Sequence, residues 1–428
     1  MKKIKLQQRY LPFSILLVSI YSILPSIEYK AGSQIFNPAV SWILQIFILF
    51  AFYKGKEYFV NQSQTSLLLI VKLYLFWNVL SILRGFFVAE TYWDWKGLTV
   101  NGLALTTPIV VYVATNESLL QFILRFYVKY TLPLFIFFYF LISTDAYGFY
   151  LVPISFLALF LPVIKTPWKW IVFSICLFVI FVDFGARSNV IKFGLPIGLS
   201  FIYYFRFILS NKFFEFIRKM LFVAPLILFL LAVNGIFNVF NMDEYIKGNY
   251  VEKKRDERGQ MIEDKLTADT RTFLYVEVLK TAVEYDSWLI GRSPARGNKS
   301  EWFGEEDMNK RGERLTNEVA ILNVFTWTGI VGVLLYFLIF YRASNIAINQ
   351  SNNIFSKILG LFVAFRWLYA WVEDVNIFNL TTFFLWIMIG LCFSKSFRYM
   401  SDKEVAFWVR GIFEKKNANK KRIITKII

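Results

Sequence analysis

Apolar runs of about 17–24 residues recur along almost the whole of this 428-residue chain. A helix needs about 20 mainly apolar residues to cross the hydrocarbon core of a bilayer, so each run predicts a membrane-spanning helix. The pattern predicts about twelve spans, at residues 11–27, 35–53, 66–88, 97–115, 119–142, 149–165, 168–184, 189–209, 217–240, 318–341, 354–372 and 376–395. The expected fold class is therefore an all-α integral membrane protein.

One long polar stretch interrupts this series. Residues 241–316 separate helices 1–9, within residues 1–240, from helices 10–12, within residues 317–395, and a basic tail follows at residues 396–428. Within the polar stretch, helix-capping residues at 267–270 precede apolar side chains at helical spacing. The pattern predicts an amphipathic helix of about 14 residues that lies on the membrane surface or on the bundle. Its predicted apolar face consists of Phe273, Val276, Leu279, Ala282 and Val283.

The composition supports the membrane assignment and excludes several kinds of chemistry. Hydrophobic residues make up 57% of the chain and charged residues only 18%. Both cysteines, Cys176 and Cys392, fall within apolar runs, and the chain has no histidine. The sequence has no disulfide framework, no metal-ligand spacing and no glycine-rich phosphate motif, so no metal or cofactor is predicted.

The distribution of charge predicts the orientation of the helices. The net charge is +17, but residues 241–316 hold 14 Lys and Arg against 16 Asp and Glu, so the excess lies in the termini and short loops. This bias follows the positive-inside rule and places both termini in the cytoplasm and residues 241–316 outside. Orientation in the membrane explains the charge, and nucleic acid is not a predicted partner.

The two ends of the chain each carry a second interpretation. Met1 to Lys5 and the run after them resemble a signal peptide, but Leu24-Pro25-Ser26 offers no small-residue cleavage site, which favours an uncleaved first helix. From Ser401 onward, aromatic and basic residues alternate. They predict either an amphipathic helix on the inner membrane surface or a solvated tail.

Several cations oppose the orientation rule because they lie at the predicted outer level of the membrane. They are Arg84, Arg187, Lys192 and Arg366. Charge within a bilayer is costly and needs a partner. The partners could be the local acids Asp183, Glu373 and Asp374, or a lipid-borne anion such as a diphosphate, which arginine binds in a bidentate manner. We expect the group as a whole to bind such an anion, together with Arg271, Arg292 and Arg296 of the polar stretch.

Three segments, taken in order, resemble the bacterial O-antigen polymerase and O-antigen ligase superfamily. They are the Arg187-Ser188 turn, Thr270-Arg271 followed by Trp288-Leu289-Ile290-Gly291, and Asn317-Glu318 followed by Thr328-Gly329-Ile330-Val331-Gly332. From the residues alone, Gly329 and Gly332 predict close helix packing. These motifs cover about a quarter of the chain, and the predicted topology extends the likeness over most of it.

The resemblance implies a metal-independent glycosyltransferase in the bacterial inner membrane. Such an enzyme transfers surface polysaccharide (O-antigen, capsule or exopolysaccharide) from undecaprenyl diphosphate at the outer face. The implied partners are the undecaprenyl-diphosphate-linked oligosaccharide and the lipid bilayer, with a chain-length regulator as a further candidate. The catalytic arginines would be Arg187 and Arg271, which engage the diphosphate. Arg84, Lys192, Arg292, Arg296 and Arg366 are the predicted substrate-binding residues.

The sequence departs from the family at one position. In ligases a histidine commonly precedes the Asn-Glu pair, whereas this chain has Thr316 there. The departure favours a polysaccharide polymerase, with Glu318 as the candidate base for the acceptor hydroxyl. An O-antigen ligase, a lipid-linked oligosaccharide flippase or transporter, and a sensor or structural membrane protein remain the alternatives.

Overall fold

The protein is described from a computed structural model. It covers residues 2–59, 66–241, 244–245, 251–255, 261–265, 269, 271–301 and 311–414. Of the residues described, 75% are helical and very few lie in strands. Within the described residues, seven helices are long and apolar enough to cross a membrane. The all-α membrane fold is therefore confirmed, whereas the count of twelve spans and the outer position of residues 241–316 remain predictions.

The first half of the chain is a succession of helices. They are α1 Lys2–Ala31, α2 Pro38–Phe59, α3 Leu69–Val88, α4 Tyr92–Leu105, α5 Val110–Ala114, α6 Glu117–Phe126, α7 Leu132–Phe138, α8 Tyr147–Ala158, α9 Trp168–Val182, α10 Arg187–Ser200 and α11 Asn211–Val233. Two of the predicted spans are each divided between two α-helices. A 3₁₀ turn at Thr107–Ile109, which contains Pro108, separates α4 from α5, and a π turn at Tyr127–Thr131 joins α6 to α7. In both places a proline, which lacks the N–H of a regular helix, lies at or just after the irregular turn.

The second half begins with two short hairpins and one helix. Strand β1 Val251–Arg255 pairs antiparallel with β2 Met261–Lys265, and β3 Asn298–Lys299 pairs with β4 Glu313–Arg314. Between the hairpins lies α12 Thr272–Glu284, and after them come α13 Ala320–Asn349, α14 Ile354–Tyr369, α15 Leu380–Phe393, α16 Lys395–Arg398 and α17 Asp402–Phe413. The predicted amphipathic helix corresponds to α12.

The sequence predicted α12 correctly but assigned its buried face only in part. The carboxylate of Asp269 accepts hydrogen bonds from the N–H groups of Arg271 and Thr272, which caps the helix; the other predicted capping residues lie outside the described part of the chain. Its buried residues are Leu274, Glu277, Val278, Thr281 and Ala282. Val276 and Val283 are exposed. Part of the predicted apolar face of α12 is therefore exposed rather than buried.

Helices α8, α14 and α15 form the centre of the bundle. Every residue of α15 is buried, and α14 packs against α11, α13 and α15. By contrast, α11 buries only four side chains, so most of its surface faces outward from the bundle. The innermost helices are shorter than a full span, and longer helices surround them.

An interruption in α13 ties the polar stretch to the bundle. At Gly329 the backbone has φ 68° and ψ −171°, a combination that is essentially restricted to glycine. The N–H of Ile330 donates to the carbonyl of Trp288 (2.8 Å), and the N–H of Arg292 donates to the carbonyl of Thr326 (2.6 Å). A Cβ atom on Gly329 would lie 2.3 Å from the carbonyl oxygen of Leu289. Gly329 thus permits a backbone crossing, which differs from the predicted helix packing.

Helix α3 supplies donors for the carbonyls that this crossing leaves exposed. The guanidinium of Arg84 donates to the carbonyls of Ile290 and Gly291 (2.8 and 2.7 Å), and the indole of Trp77 donates to the carbonyl of Thr328 (2.9 Å). Irregular backbone within a membrane protein needs such internal partners because lipid offers none. The loop from Trp288 to Gly291 is therefore held by hydrogen bonds from two helices.

The basic tail folds back onto the bundle as far as Glu414, beyond which it lies outside the described residues. Helix α17 begins with a capping box at Ser401 and Glu404, and it packs against α6. The indole of Trp408 donates to the carbonyl of Glu117 (2.7 Å). The apolar face of α17, which the sequence predicted to meet lipid or solvent, is buried against protein.

Substitution Gly329→Ala tests the crossing. It is expected to lower the apparent melting temperature of the detergent-purified protein strongly, because the left-handed backbone alone costs about 1–3 kcal/mol and the added Cβ would collide with Leu289. The matched control is Gly198→Ala in α10, where a Cβ would meet nothing within 4 Å. Equal melting temperatures for the two variants would contradict the crossing.

Candidate functional site

A cluster of charged residues lies where α12, α13 and the α14–α15 loop meet. The start of α13 is fixed to that loop because the N–H groups of Ala320 and Ile321 donate to the carbonyls of Glu373 and Ala370 (3.2 and 3.0 Å). The hydroxyl of Tyr275 in α12 donates to the carbonyl of Trp371 (2.5 Å). These bonds bring three segments that are distant in sequence to one place.

Arg271 occupies the centre of this cluster. Its Nη2 lies 3.6 Å from a carboxylate oxygen of Glu373 and 3.9 Å from one of Glu318. Both distances exceed those of a good charge-assisted hydrogen bond. The Nε atom of Arg271 is buried without a hydrogen-bond partner among the described residues. The guanidinium is thus oriented by two carboxylates while part of its donor capacity stays unused.

Glu318 is the more accessible of the two carboxylates. Its side chain is 52% exposed, and it also contacts Arg314 at 3.4 Å. The two predicted catalytic residues Arg271 and Glu318 are therefore neighbours in the fold.

Asp374 is an acid whose chemistry the sequence did not single out. Its carboxylate accepts hydrogen bonds from the amide of Asn323 (3.0 Å) and from the N–H of Asn376 (2.8 Å). Burial raises the pKa of Asp374 to about 7, although these two hydrogen bonds act in the opposite direction, and the nearby Glu373 raises the pKa further. A carboxyl group that titrates near neutral pH is suited to accept a proton.

Lys192 and Arg366 lie deeper in the bundle than Arg271. Lys192 is 8% exposed and Arg366 is 3% exposed, and both line one cavity of about 20 Å³. Both lie within the electrostatic influence of Glu373. Glu373 thus acts on both cations at a distance, and its ion pair among the described residues is with Arg271.

Arg187 is exposed and is the first residue of α10, about one turn from Lys192. Asp183 stabilises the preceding turn by accepting hydrogen bonds from the N–H of Ala186 (3.0 Å) and the hydroxyl of Thr144 (2.9 Å). A short, hydrogen-bonded turn thus presents Arg187 at the end of the helix that also carries Lys192.

Arg292 and Arg296 form a separate group around Glu313. Their guanidinium groups each donate to this carboxylate at 2.8 Å, and Glu313 is 2% exposed. Burial opposes ionisation of Glu313, but the hydrogen bond of Arg296 and the charges of Arg296 and Arg292 outweigh it and lower its pKa below the ordinary range. Arg292 also lies over the ring of Tyr285, 3.9 Å from its centroid. This ion cluster fixes the shape of the loop.

Hydrogen bonding therefore divides five of the predicted arginines into two kinds. Arg84, Arg292 and Arg296 direct their donors to backbone carbonyls or to Glu313. Arg271 and Arg366 each retain a buried nitrogen without a partner in the described part of the chain. A buried donor without a partner is costly, so these two arginines are the stronger candidates for contact with a ligand.

An apolar pocket of about 380 Å³ adjoins the charged cluster. Helices α11, α12 and α14 line it, with Thr272 next to Arg271 in sequence and Val372 next to Glu373. The predicted apolar face of α12 contributes Val276 and Leu279 to the lining of this pocket. A volume of this size accommodates part of a small ligand. The pocket and the cluster together join an apolar surface to cationic donors.

A second, more polar pocket of about 610 Å³ lies at the ends of α1 and α8. It is lined by Tyr21, Ser22, Ser26, Asp145 and Asn379, among others, and by Phe149, whose ring lies 4.9 Å from the amine of Lys192. Hydroxyl, amide and carboxylate groups of this kind bind sugars and other polar ligands.

Three residues of the site could not be recognised from the sequence, and the reason is the same for each. Glu313, Asp374 and Asn323 acquire their roles from partners that the fold supplies. The acidic pair Glu373-Asp374 in a short loop was the one local signal, and it was interpreted only as a source of counter-charges.

Comparison with known proteins identifies no relative: no protein-family model, no curated protein and no solved structure matches the chain.

Substitution Glu313→Gln tests the ion cluster. Removal of one partner from a buried ion pair costs about 3–5 kcal/mol, so a large drop in melting temperature is expected at pH 7. Because the pKa of Glu313 is lowered in the folded state, its stabilisation is present above the ordinary pKa and is lost as the pH falls. The melting temperature of the variant should therefore fall less than that of wild type below about pH 4.5.

The control for this substitution is Glu284→Gln. Glu284 pairs with Lys299 in the same region, but both side chains are nearly half exposed, so the pair is screened by solvent. An equally small effect of both substitutions would contradict a structural role for Glu313.

Substitution Asp374→Asn tests the raised pKa. In the folded protein the carboxyl group of Asp374 keeps its proton up to about pH 7, whereas in the unfolded chain it loses its proton near pH 4. The free energy of unfolding of wild type should therefore decrease as the pH rises between these two values. Thermal scans between pH 4 and 8 should show that the wild-type melting temperature falls relative to that of the variant. Parallel curves for the two proteins would show that Asp374 does not titrate in this range.

Proposed function

We propose that the protein is a polymerase of surface polysaccharide that uses undecaprenyl-diphosphate-linked glycan at the outer face of the bacterial inner membrane. The observation that carries the proposal is the position of Arg271, which lies between two carboxylates at the edge of an apolar pocket and keeps an unused buried donor. A lipid-linked diphosphate has the matching composition, an apolar chain joined to an anion. The resemblance of the three sequence segments to the O-antigen polymerase and ligase superfamily supports the same function.

In the proposed reaction, Arg271 and Arg187 bind the diphosphate of the donor lipid. Arginine suits this role because its planar fork matches phosphate oxygens and remains charged. The first isoprene units would occupy the pocket between α11, α12 and α14. As the bond from the anomeric carbon to the diphosphate breaks, both arginines stabilise the charge that develops on the leaving group.

The acceptor is the terminal sugar hydroxyl of a second lipid-linked repeat unit. Its oxygen forms the new bond to the anomeric carbon, and its proton passes to a carboxylate of the cluster. Glu318 is the first candidate because it is exposed beside Arg271. Asp374 is a second candidate because its pKa of about 7 makes it a better proton acceptor near neutral pH. No metal or histidine is needed for these steps.

The remaining predicted substrate-binding residues have supporting roles in this proposal. Arg84, Arg292 and Arg296 hold the loop over the bundle through their bonds to carbonyls and Glu313. Lys192 and Arg366 are buried behind the site and are not proposed to contact the substrate.

Substitution Arg271→Ala is expected to reduce polymer formation by about 100-fold or more, because two hydrogen bonds to a charged group contribute about 1.5–3 kcal/mol each. The measurement is extension of purified lipid-linked repeat units by the purified protein, followed on gels. Arg271→Lys should recover only part of the rate because an ammonium group cannot bind bidentately. Arg342→Ala, at an exposed arginine near the other end of α13, is the matched control.

Unchanged polymer length with Arg271→Ala would contradict the proposal. In cells, deletion of the gene should leave single lipid-linked repeat units and abolish long chains. Accumulation of those units on the cytoplasmic leaflet would instead favour a flippase.

The two candidate bases are separated by their pH profiles. Glu318→Gln should lower the rate at every pH if Glu318 accepts the proton. If Asp374 accepts it, the wild-type rate should rise with pH up to about 7 and Asp374→Asn should abolish that dependence. A polymerase unaffected by either substitution would rule out both carboxylates.

A further inference from the structure

The cavity behind the proposed site lies at the centre of the helix bundle. It measures about 20 Å³ and is enclosed by side chains of α8, α10, α14 and α15. Its polar lining comes from Lys192, Arg366, Thr381 and Ser155, and apolar side chains such as Phe156 and Met388 complete the wall. The cavity therefore combines two buried cations with a hydroxyl in apolar surroundings.

Two of the polar residues that line this cavity have hydrogen-bond donors without acceptors. Nε and Nη2 of Arg366 and the hydroxyl of Thr381 are buried without partners among the described residues. The amine of Lys192 donates to the hydroxyl of Ser188 (3.2 Å). The hydroxyl of Ser155 already donates to the carbonyl of Lys192 (2.5 Å). Unused buried donors are costly, and these three belong to two residues that line the same cavity.

The charges around the cavity are also unbalanced. Among the residues that the structure describes, no acidic side chain lines the cavity. The acid that acts electrostatically on both Lys192 and Arg366 is Glu373, and this carboxylate is shared with Arg271 at 3.6 Å. Lys192 and Arg366 therefore share one carboxylate, and Arg271 contacts the same carboxylate. A water molecule could accept hydrogen bonds in the cavity, but it would leave the positive charge in place.

The size of the cavity restricts the ligand. A space of about 20 Å³ holds one particle of about the size of a water molecule. A phosphate or a carboxylate has several heavy atoms and does not fit. We propose that this cavity binds one monatomic anion, a chloride ion, held by Arg366, Lys192 and Thr381. The site is distinct from the lipid-diphosphate site proposed at Arg271, and it neutralises charge within the bundle whether or not the protein is a polymerase.

The test is binding of ³⁶Cl⁻ by the full-length protein in detergent after exchange into sodium gluconate. Radioactive chloride also replaces any chloride retained during purification. The expected result is saturable binding of one ion per chain. Thr381→Val removes one donor with little change in shape and should weaken binding by about tenfold or more, since a hydrogen bond to a charged group contributes about 1.5–3 kcal/mol. Arg366→Met should abolish binding.

Thr131→Val is the matched control. The hydroxyl of Thr131 is also buried without a partner among the described residues, but it does not line this cavity. Its substitution should leave chloride binding unchanged. If Arg366→Met does not fold, Thr381→Val still decides the question. The proposal would be overturned by the absence of saturable binding in wild type, which would indicate a water molecule, or by equal affinities of wild type and Thr381→Val.

Discussion

The contact between Gly291 and Gly329 is the constraint on which the rest of the candidate site depends. Both residues have positive φ, and a Cβ on either would lie about 2.5 Å or less from backbone atoms of the other segment. The loop consequently lies directly on the interrupted helix α13. Backbone N–H and C=O groups of the loop form hydrogen bonds with backbone groups of that helix. Other links between the polar stretch and the bundle are made by side chains, such as the hydrogen bond from Tyr275 to Trp371.

The crossing explains why several arginines are structural. An interruption in a buried helix leaves carbonyls without partners, and in an apolar environment each one needs a donor. The indole of Trp77 in α3 donates to one such carbonyl, that of Thr328. Arg84 of the same helix donates to two carbonyls of the crossing loop, and Arg292 and Arg296 hold the following turn through Glu313. Arg271 and Arg366, which keep unused donors, are left for a ligand. The sequence alone could not make this distinction, because all five residues were predicted cations of the same site.

The sequence was sufficient to predict the elements whose signal is local. Run length predicted the helices, and periodicity together with Asp269 predicted α12. The partners of Arg84 could not be predicted, because they lie more than 200 residues further along the chain. Gly329 carried a correct signal for close approach, but nothing local distinguishes an approaching loop from an approaching helix. The aromatic face of α17 was equally ambiguous, since protein and lipid bury the same residues.

The central claim is that Arg271 binds the anionic headgroup of a lipid whose chain occupies the pocket between α11, α12 and α14. The most direct measurement is native mass spectrometry of the purified protein with undecaprenyl diphosphate and with the uncharged undecaprenol. Wild type is expected to retain the diphosphate lipid in preference to the uncharged lipid. Arg271→Ala should lose this preference, and Arg342→Ala should keep it. Equal retention of the two lipids by wild type, or an undiminished preference in Arg271→Ala, would contradict the account.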